Sequence, residues 1–413
     1  MRPGPGPSPL HVGLSLSHTW LRGAAWRRPD SRVEELLDVS VELDLARSAE
    51  QVGVDFLLKP DAAWLDPTSL VDGPGFTMLD PTVLLSAIAT HTSRIGLVTT
   101  LGTAFGEPYQ VARAVRSLDR ISHGRAGWNV VTALGGAQNV ARRLPAASKR
   151  LGHDGAGETR AGGVRGVGAG EIRAGAADTT QADASRERYA EAREFVDVVR
   201  ALWASYPAGA VLADREGGRY ADASLVRPIQ AQGHRFEVAG PLNVAGSNRI
   251  PLFQAGGSPS GRDLAARTAD AVFALAPTEA DALEQRTDLR ARAVRHGRAP
   301  DDVRVLPGLS LYLAATREEA EELRRASEAA GANTGAPRGA GHWTVVGTPA
   351  DAVAAIVERA RAGAIDGVIA LPSGALDSAR RFLEEVVPAL QRAGVVREGY
   401  AGETLADHLA IRH

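Results

Sequence analysis

A few polar residues stand where the chain is otherwise apolar, and each suggests a chemistry. Asn129 lies inside the run Ala126-Gly127-Trp128-Asn129-Val130-Val131. Burying an amide is costly unless something pairs with it, so this strand either holds a ligand or ties the amide to backbone. Gln254-Ala255-Gly256-Gly257-Ser258-Pro259-Ser260-Gly261 reads as a strand, a Gly turn and a helix start. Ser258 or Ser260 can cap that helix, with Pro259 in its first turn. Exposed N–H groups there, Gly257 included, make a ready phosphate site, although an ordinary Gly-rich cap has the same letters. Asp61 and Lys59 close a second strand candidate and His18 a first. Residues at strand ends build the sites of α/β barrels. There the imidazole of His18 can donate a proton and a desolvated Lys59 can form a Schiff base. The plainer readings are a helix cap for Asp61 and a satisfied core or surface imidazole for His18.

The elements that must position these groups alternate. Strand candidates are Val12–Ser17, Val54–Lys59, Ile95–Thr100, Ala126–Thr132, Ile250–Gln254, Ala271–Leu275, Val303–Leu313 and Gly367–Leu371. Between them apolar residues at three- and four-residue spacing predict helices: Val33–Val52, Pro81–His91, Tyr109–Ile121, Arg186–Ser205, Arg262–Thr268, Glu279–His296, Arg317–Ala329, Ala350–Ala362 and Leu376–Ala393. A polar, hairpin-like stretch occupies Arg219–Val238. Eight strand-then-helix units and right-handed crossovers make an α/β fold, a closed (β/α)8 TIM barrel, the economical solution, with a doubly wound open sheet as its alternative. We expect a tail over residues 1–10 and one barrel domain over 11–413. Gly135–Asp183, rich in Gly, Ala and Arg, reads as a loop insert at the C-terminal face, either a solvated loop or a lid. Ala330–Gly341 is a second such loop.

Composition narrows the function classes. The 413 residues are 44% hydrophobic, enough for a large core, and carry a net charge of −2. That balance gives no electrostatic case for nucleic acid or an anionic membrane. No Cys is present, which excludes disulfides, thiolate metal sites and Cys nucleophiles. The only lysines, Lys59 and Lys149, lie outside any Gly-Lys-Ser/Thr context, so there is no P-loop. No His-Glu-x-x-His or dense ligand cluster occurs, and no metal is expected. With no signal-peptide pattern and no membrane-length apolar run, a cytoplasmic protein is expected.

The stretch Ser117–Thr132 resembles a signature of the flavin-dependent monooxygenases of the bacterial luciferase superfamily. More narrowly it is similar to the branch of the nitrilotriacetate monooxygenase large component, the dibenzothiophene sulfone monooxygenase and the pristinamycin synthase large subunit. Further blocks follow in family order: Trp26-Arg27-Arg28-Pro29, Phe56–Asp61, Gly96–Thr100 with Glu107-Pro108-Tyr109, Arg188-Tyr189, Phe236–Val244, Gly261–Asp270, Leu306-Pro307-Gly308, Gly347-Thr348-Pro349 and Tyr400–Leu409.

The resemblance implies a luciferase-like barrel in which Asp61, Thr100, Asn129, Tyr189 and Ser258, with Gly257 beside it, contact FMN. It implies a homodimer or tetramer and a separate NAD(P)H-dependent flavin reductase that delivers FMNH2. The reduced flavin then reacts with O2 to give a C4a-peroxide that oxidises a small organic substrate. Three positions and one segment depart from the family pattern. Ser185 replaces a flavin-contacting His four residues before the Tyr, Ala133 replaces a frequent Ser or His, Arg22 aligns with an early His, and the segment between the Leu-Pro-Gly and Gly-Thr-Pro blocks is short. Two alternatives stay open, a deazaflavin-dependent oxidoreductase on the same barrel and, motivated by the missing His positions and the short segment, a flavin-binding protein without catalysis.

Overall fold

The computed structural model describes residues 9–104, 106–132, 139, 179–329 and 341–411, with backbone only for 179–185 and 329. Residues 1–8 of the expected tail, nearly all of the Gly135–Asp183 insert, Ala133 and most of the Ala330–Gly341 loop lie outside the described residues; Leu10, expected in the tail, is instead buried in the core and bridges to Val396.

Strands β1 (His11–Ser15), β2 (Phe56–Lys59), β3 (Gly96–Gly102) and β4 (Ala126–Val131) come first. Two short antiparallel hairpins follow, β5 (Val211–Asp214) with β6 (Arg219–Ala221) and β7 (Ala231–Gln232) with β8 (Glu237–Val238). Strands β9 (Leu252–Ala255), β10 (Ala271–Ala274), β11 (Arg304–Leu313), β12 (Trp343–Gly347) and β13 (Gly367–Pro372) complete the set. All pairings in the main sheet are parallel. Its order is β10-β9-β4-β3-β2-β1-β13-β11-β12, and β10 also pairs with β11. Eight strands therefore close a barrel. The ninth, β12, was not anticipated; it pairs with the upper half of β11, Leu309–Leu313.

Helices cover the outside: α1 (Ser40–Gln51), α2 (Pro81–Ala89), α3 (Pro108–Ile121), α4 (Thr179–Ala204), α5 (Pro259–Thr268), α6 (Glu279–Arg295), α7 (Arg317–Ala329) and α8 (Pro349–Arg361). Then α9 (Asp377–Arg381) runs through a π turn, Phe382–Val386, into α10 (Val387–Arg392), and α11 (Leu405–His408) closes the chain. Their starts are written in the sequence. Asp80 accepts from the Thr82 and Val83 amides with Pro81 at the first helical position, and Thr278/Asp281 and Thr348/Asp351 form capping boxes. The stretch Val33–Val52 is not one helix. A 3-10 turn at Val33–Glu35 precedes α1, and Asp38 Oδ1 takes the Ser40 amide at 2.8 Å. Short polar side chains bond nearby backbone and break helix continuity in this way. Among the described residues no helix is long and apolar enough to cross a membrane.

Strand alternation divides the core. Val12, Leu14 and Leu57 pack outward against the helices, whereas Phe56, Leu58, Val98, Phe253, Leu306 and Ile369 fill the barrel. Leu405, Ala406, Leu409 and Ile411 join this inner cluster, so α11 and the residues after it stopper the barrel at its N-terminal end. The signature turn Ser122–Arg125 anchors the same end. His123 and Gly124 take positive φ (56° and 91°). The buried Arg125 guanidinium donates to the carbonyls of Ser122, Ile95, Ala89 and Thr92 at 2.8–3.0 Å, which satisfies a charge that would be costly to bury bare.

Gly127 is where strand and stopper meet. A Cβ there would lie 2.8 Å from Leu405 Cδ2 and 3.1 Å from Val98 Cγ2. Overpacking of this kind costs about 1–3 kcal/mol. Gly127→Ala is therefore expected to lower stability by about 1–2 kcal/mol in urea denaturation. An unchanged midpoint would show that α11 does not bear on the barrel interior.

Candidate active site at the barrel mouth

Thr100 and Asn129 are in-register partners on β3 and β4. Both are buried, 2% and 4% exposed. Asn129 is two residues above Gly127 on the same inner face, hence one layer above the stoppered core. Its Nδ2 donates to Thr100 Oγ1 at 3.0 Å, and its Oδ1 is buried with no hydrogen-bond partner. Turning the amide over would exchange the two atoms and still leave one of them orphaned. Phe253 of β9 stands in register with Asn129 on the other side. Its ring packs on Phe56 at 4.9 Å between centroids. A polar pair thus rests on an apolar floor.

The next strand carries the second group. β9 runs through Gly256 and Gly257 into α5, whose N-cap is Ser258. Ser258 Oγ accepts from the Gly261 amide at 3.1 Å and donates to Tyr189 Oη at 3.2 Å. Tyr189 reaches this point from α4, and Gly261 is the residue that admits it, since a Cβ there would lie 2.9 Å from Tyr189 Oη. Gly257 has open space where its side chain would be, with nothing within 4 Å. The two groups, Thr100–Asn129 and Tyr189–Ser258, stand on the consecutive barrel strands β3, β4 and β9 and on the helices beside them.

The remaining expected residues are placed differently. Asp61 follows β2 at the rim and is half-buried. Burial, and then the charge of Asp80, raise its carboxyl above the usual range. Ser185 lies in α4, but its side chain is outside the described residues. His18 does not stand free at the mouth. Its Nε2 lies 2.8 Å from Glu42 Oε1 of α1, and burial pulls its pKa down against the pull of Glu42. Lys59 is fully buried beside it, with Nζ 3.3 Å from Glu42 Oε1 and 3.1 Å from the Leu16 carbonyl. It points outward from the sheet with Leu57. A proton donor at His18 or a Schiff-base amine at Lys59 would have to draw on this buried network.

Two features escaped the sequence. Gln254, in the apolar run Leu252-Phe253-Gln254, is buried; its Nε2 donates to the Gly261 carbonyl at 3.3 Å, and its Oε1 has no partner. A polar residue inside an apolar strand was a readable signal. On the far wall His342 stacks on Phe273, 5.4 Å and 18° apart, both against Gly308 of β11. Burial, then the Arg22 cation, lower the His342 pKa to about 4. Nothing local in the sequence brings Arg22, Phe273 and His342 together. Among the described residues no group of three or more His, Asp or Glu is placed to hold a metal ion.

The family model of luciferase-like monooxygenases matches residues 19–155 and 162–366. Nitrilotriacetate monooxygenase component A of Aminobacter aminovorans is 30% identical over 97% of this chain and 96% of its own length. Dibenzothiophene-sulfone monooxygenase of Rhodococcus erythropolis is 27% identical over 94% and 93%. The solved structure of a riboflavin lyase with modified FMN and its substrate riboflavin superposes with a TM-score of 0.77 at 26% identity, covering 97% of this chain and 96% of that one. The chain belongs to the luciferase-like monooxygenase family and is, by that membership, a flavin-dependent monooxygenase.

Proposed function

We propose that the protein is the oxygenase component of a two-component system that uses FMNH2 and O2 to oxidise a small organic substrate. The observation that carries this reading is the orphaned polar atom of Asn129, buried beside Thr100 one strand away from the Ser258 helix start. A buried acceptor without a partner costs about 1–3 kcal/mol, a strain that a bound polar edge relieves. The donor set suits FMN at both ends. The Thr100–Asn129 pair can bond a ring edge or ribityl hydroxyl, while the α5 N-terminus with Ser258, Gly257 and Tyr189 can take the phosphate. Asp61 and Ser185 complete the proposed contacts. When bound, the reduced flavin supplies the activation of O2. The chain's part is to orient it over the apolar floor of Phe56 and Phe253 and to keep water out.

A separate NAD(P)H:flavin reductase and a homo-oligomeric state belong to the same proposal. The test is anaerobic titration with chemically reduced FMN and with reduced deazaflavin. One equivalent of FMNH2 is expected to bind, and NAD(P)H alone is expected to leave bound oxidised FMN unreduced. Preference for the deazaflavin, or direct reduction by NAD(P)H, overturns the reading.

Tyr189→Phe removes one hydroxyl at the phosphate end and leaves the ring. A neutral hydrogen bond contributes about 0.5–1.5 kcal/mol, so FMN affinity should fall roughly threefold to tenfold in a fluorescence titration. Unchanged affinity would remove Tyr189 from the site.

A further inference from the structure

A cavity of about 630 Å³ lies away from the barrel mouth, where the C-terminal ends of α4 and α5 meet the segment leading into β9. Five guanidinium groups line it, those of Arg116, Arg200, Arg249, Arg267 and Arg298, with Trp203 as an apolar wall; no acidic residue lines it. Three carboxylates pair with these arginines. Asp119 holds Arg116 at 2.9 Å, Asp270 holds Arg249 at 2.5 Å and stands 3.9 Å from Arg298, and Asp197 holds Arg267 at 3.3 Å. Arg200 donates to the Thr268 carbonyl at 2.6 Å, with no carboxylate within 4 Å among the described residues. Burial lowers its guanidinium pKa; the charges of Asp270 and Asp197 oppose that shift, and those of Arg298 and Arg249 add to it.

Arg116 supplies a second observation. It is 2% exposed, and its Nε is buried without a partner. Its approach depends on Gly246, where a Cβ would lie 2.7 Å from Arg116 Cδ and 3.0 Å from Nε. Arg116 also donates to the Asn248 carbonyl at 3.0 Å, yet a buried guanidinium with an unused donor, among five arginines that only three carboxylates offset, is left to be completed by an anion.

We propose that this cavity binds a small phosphate-bearing anion with at least two negative charges. The arginines arrive from α3, α4, α5, the Gly246–Ile250 segment and the residues after α6, so their donors converge from several directions. A tetrahedral phosphate or a diphosphate can use such a set, whereas a planar carboxylate engages one or two forks. The cavity size is that of ordinary small-ligand pockets. The site is separate from the helix start at Ser258. Arg200 and Tyr189 lie eleven residues apart on α4, about 17 Å at 1.5 Å per residue.

Calorimetric titration of the full chain with pyrophosphate tests the assignment, using wild type, the Arg267→Gln and Arg200→Gln/Arg267→Gln variants, and Ser258→Asp. Arg267 is partly exposed, so its single variant guards against a folding failure. Wild type and Ser258→Asp are expected to bind one equivalent at this site, more weakly as NaCl is raised. The affinity should fall severalfold in Arg267→Gln and at least tenfold in the double variant. Absence of binding in wild type overturns the proposal. So does loss of binding in Ser258→Asp alone, which would place the anion at the helix start. Tighter binding of citrate than of pyrophosphate, lost in the double variant, overturns the phosphate class.

Discussion

Ser258→Asp is expected to weaken FMN binding by roughly a thousandfold, and turnover with it, while the fold survives. The reason lies in what the substitution keeps. Ser258 caps α5 by accepting from the Gly261 amide. Aspartate caps helices as well as serine does and favours the positive end of the helix dipole, so α5 should start where it does now. What changes is the charge facing an incoming phosphate. Two unit charges about 4 Å apart at an effective dielectric near 20 repel by about 4 kcal/mol, and that corresponds to roughly three orders of magnitude in affinity. Salt should recover part of the loss, because the turn is partly exposed. Equilibrium dialysis against FMN, with a thermal melt of the same sample, separates the two effects. A lowered melt with normal affinity per folded molecule would make Ser258 a cap and nothing more.

The barrel was legible because its signals are local. All eight strand candidates are barrel strands, and the turn residues between them announce the helix starts. The missed strand, Trp343–Gly347, follows a Gly/Ala-rich stretch, is only five residues long, and pairs with only half of β11 outside the closed ring. The site was legible in part. Asn129 and Ser258 stand out as polar or special residues within strong local patterns. Tyr189 does not; it meets Ser258 across 69 residues, and only the family resemblance singles it out.

His18 and Lys59 show the opposite case. At strand ends they read as chemistry, but Glu42 comes back to them from 24 and 17 residues away. On the sequence Glu42 is one more acid on an amphipathic helix, and its burial to 1% exposure is a tertiary fact. Arg125, one more cation in a Gly turn on the sequence, is tied to four carbonyls at the barrel's closed end. Long-range partners decide whether a charged residue is site or scaffold, and periodicity carries no information about them.

Asn129→Leu is expected to separate stability from binding in a way that a structural amide would not. In the chain without ligand, Asn129 makes one hydrogen bond, to Thr100, and carries one buried atom with none. Leucine has a similar shape, so no large cavity opens. It removes the orphaned atom, which costs about 1–3 kcal/mol, and it leaves the Thr100 hydroxyl without its donor, a penalty of similar size. The two nearly cancel, so the urea midpoint should move by less than about 1 kcal/mol equivalent. With flavin present the balance differs. The cofactor's polar edge would lose its partner in a site closed to water, a loss of about 1.5–3 kcal/mol, or one to two orders of magnitude in affinity. Were Asn129 merely holding β3 to β4, the same variant would destabilise the barrel by several kcal/mol, and folded molecules would bind FMN as before. A fluorescence titration and a denaturation curve on one preparation decide between these outcomes.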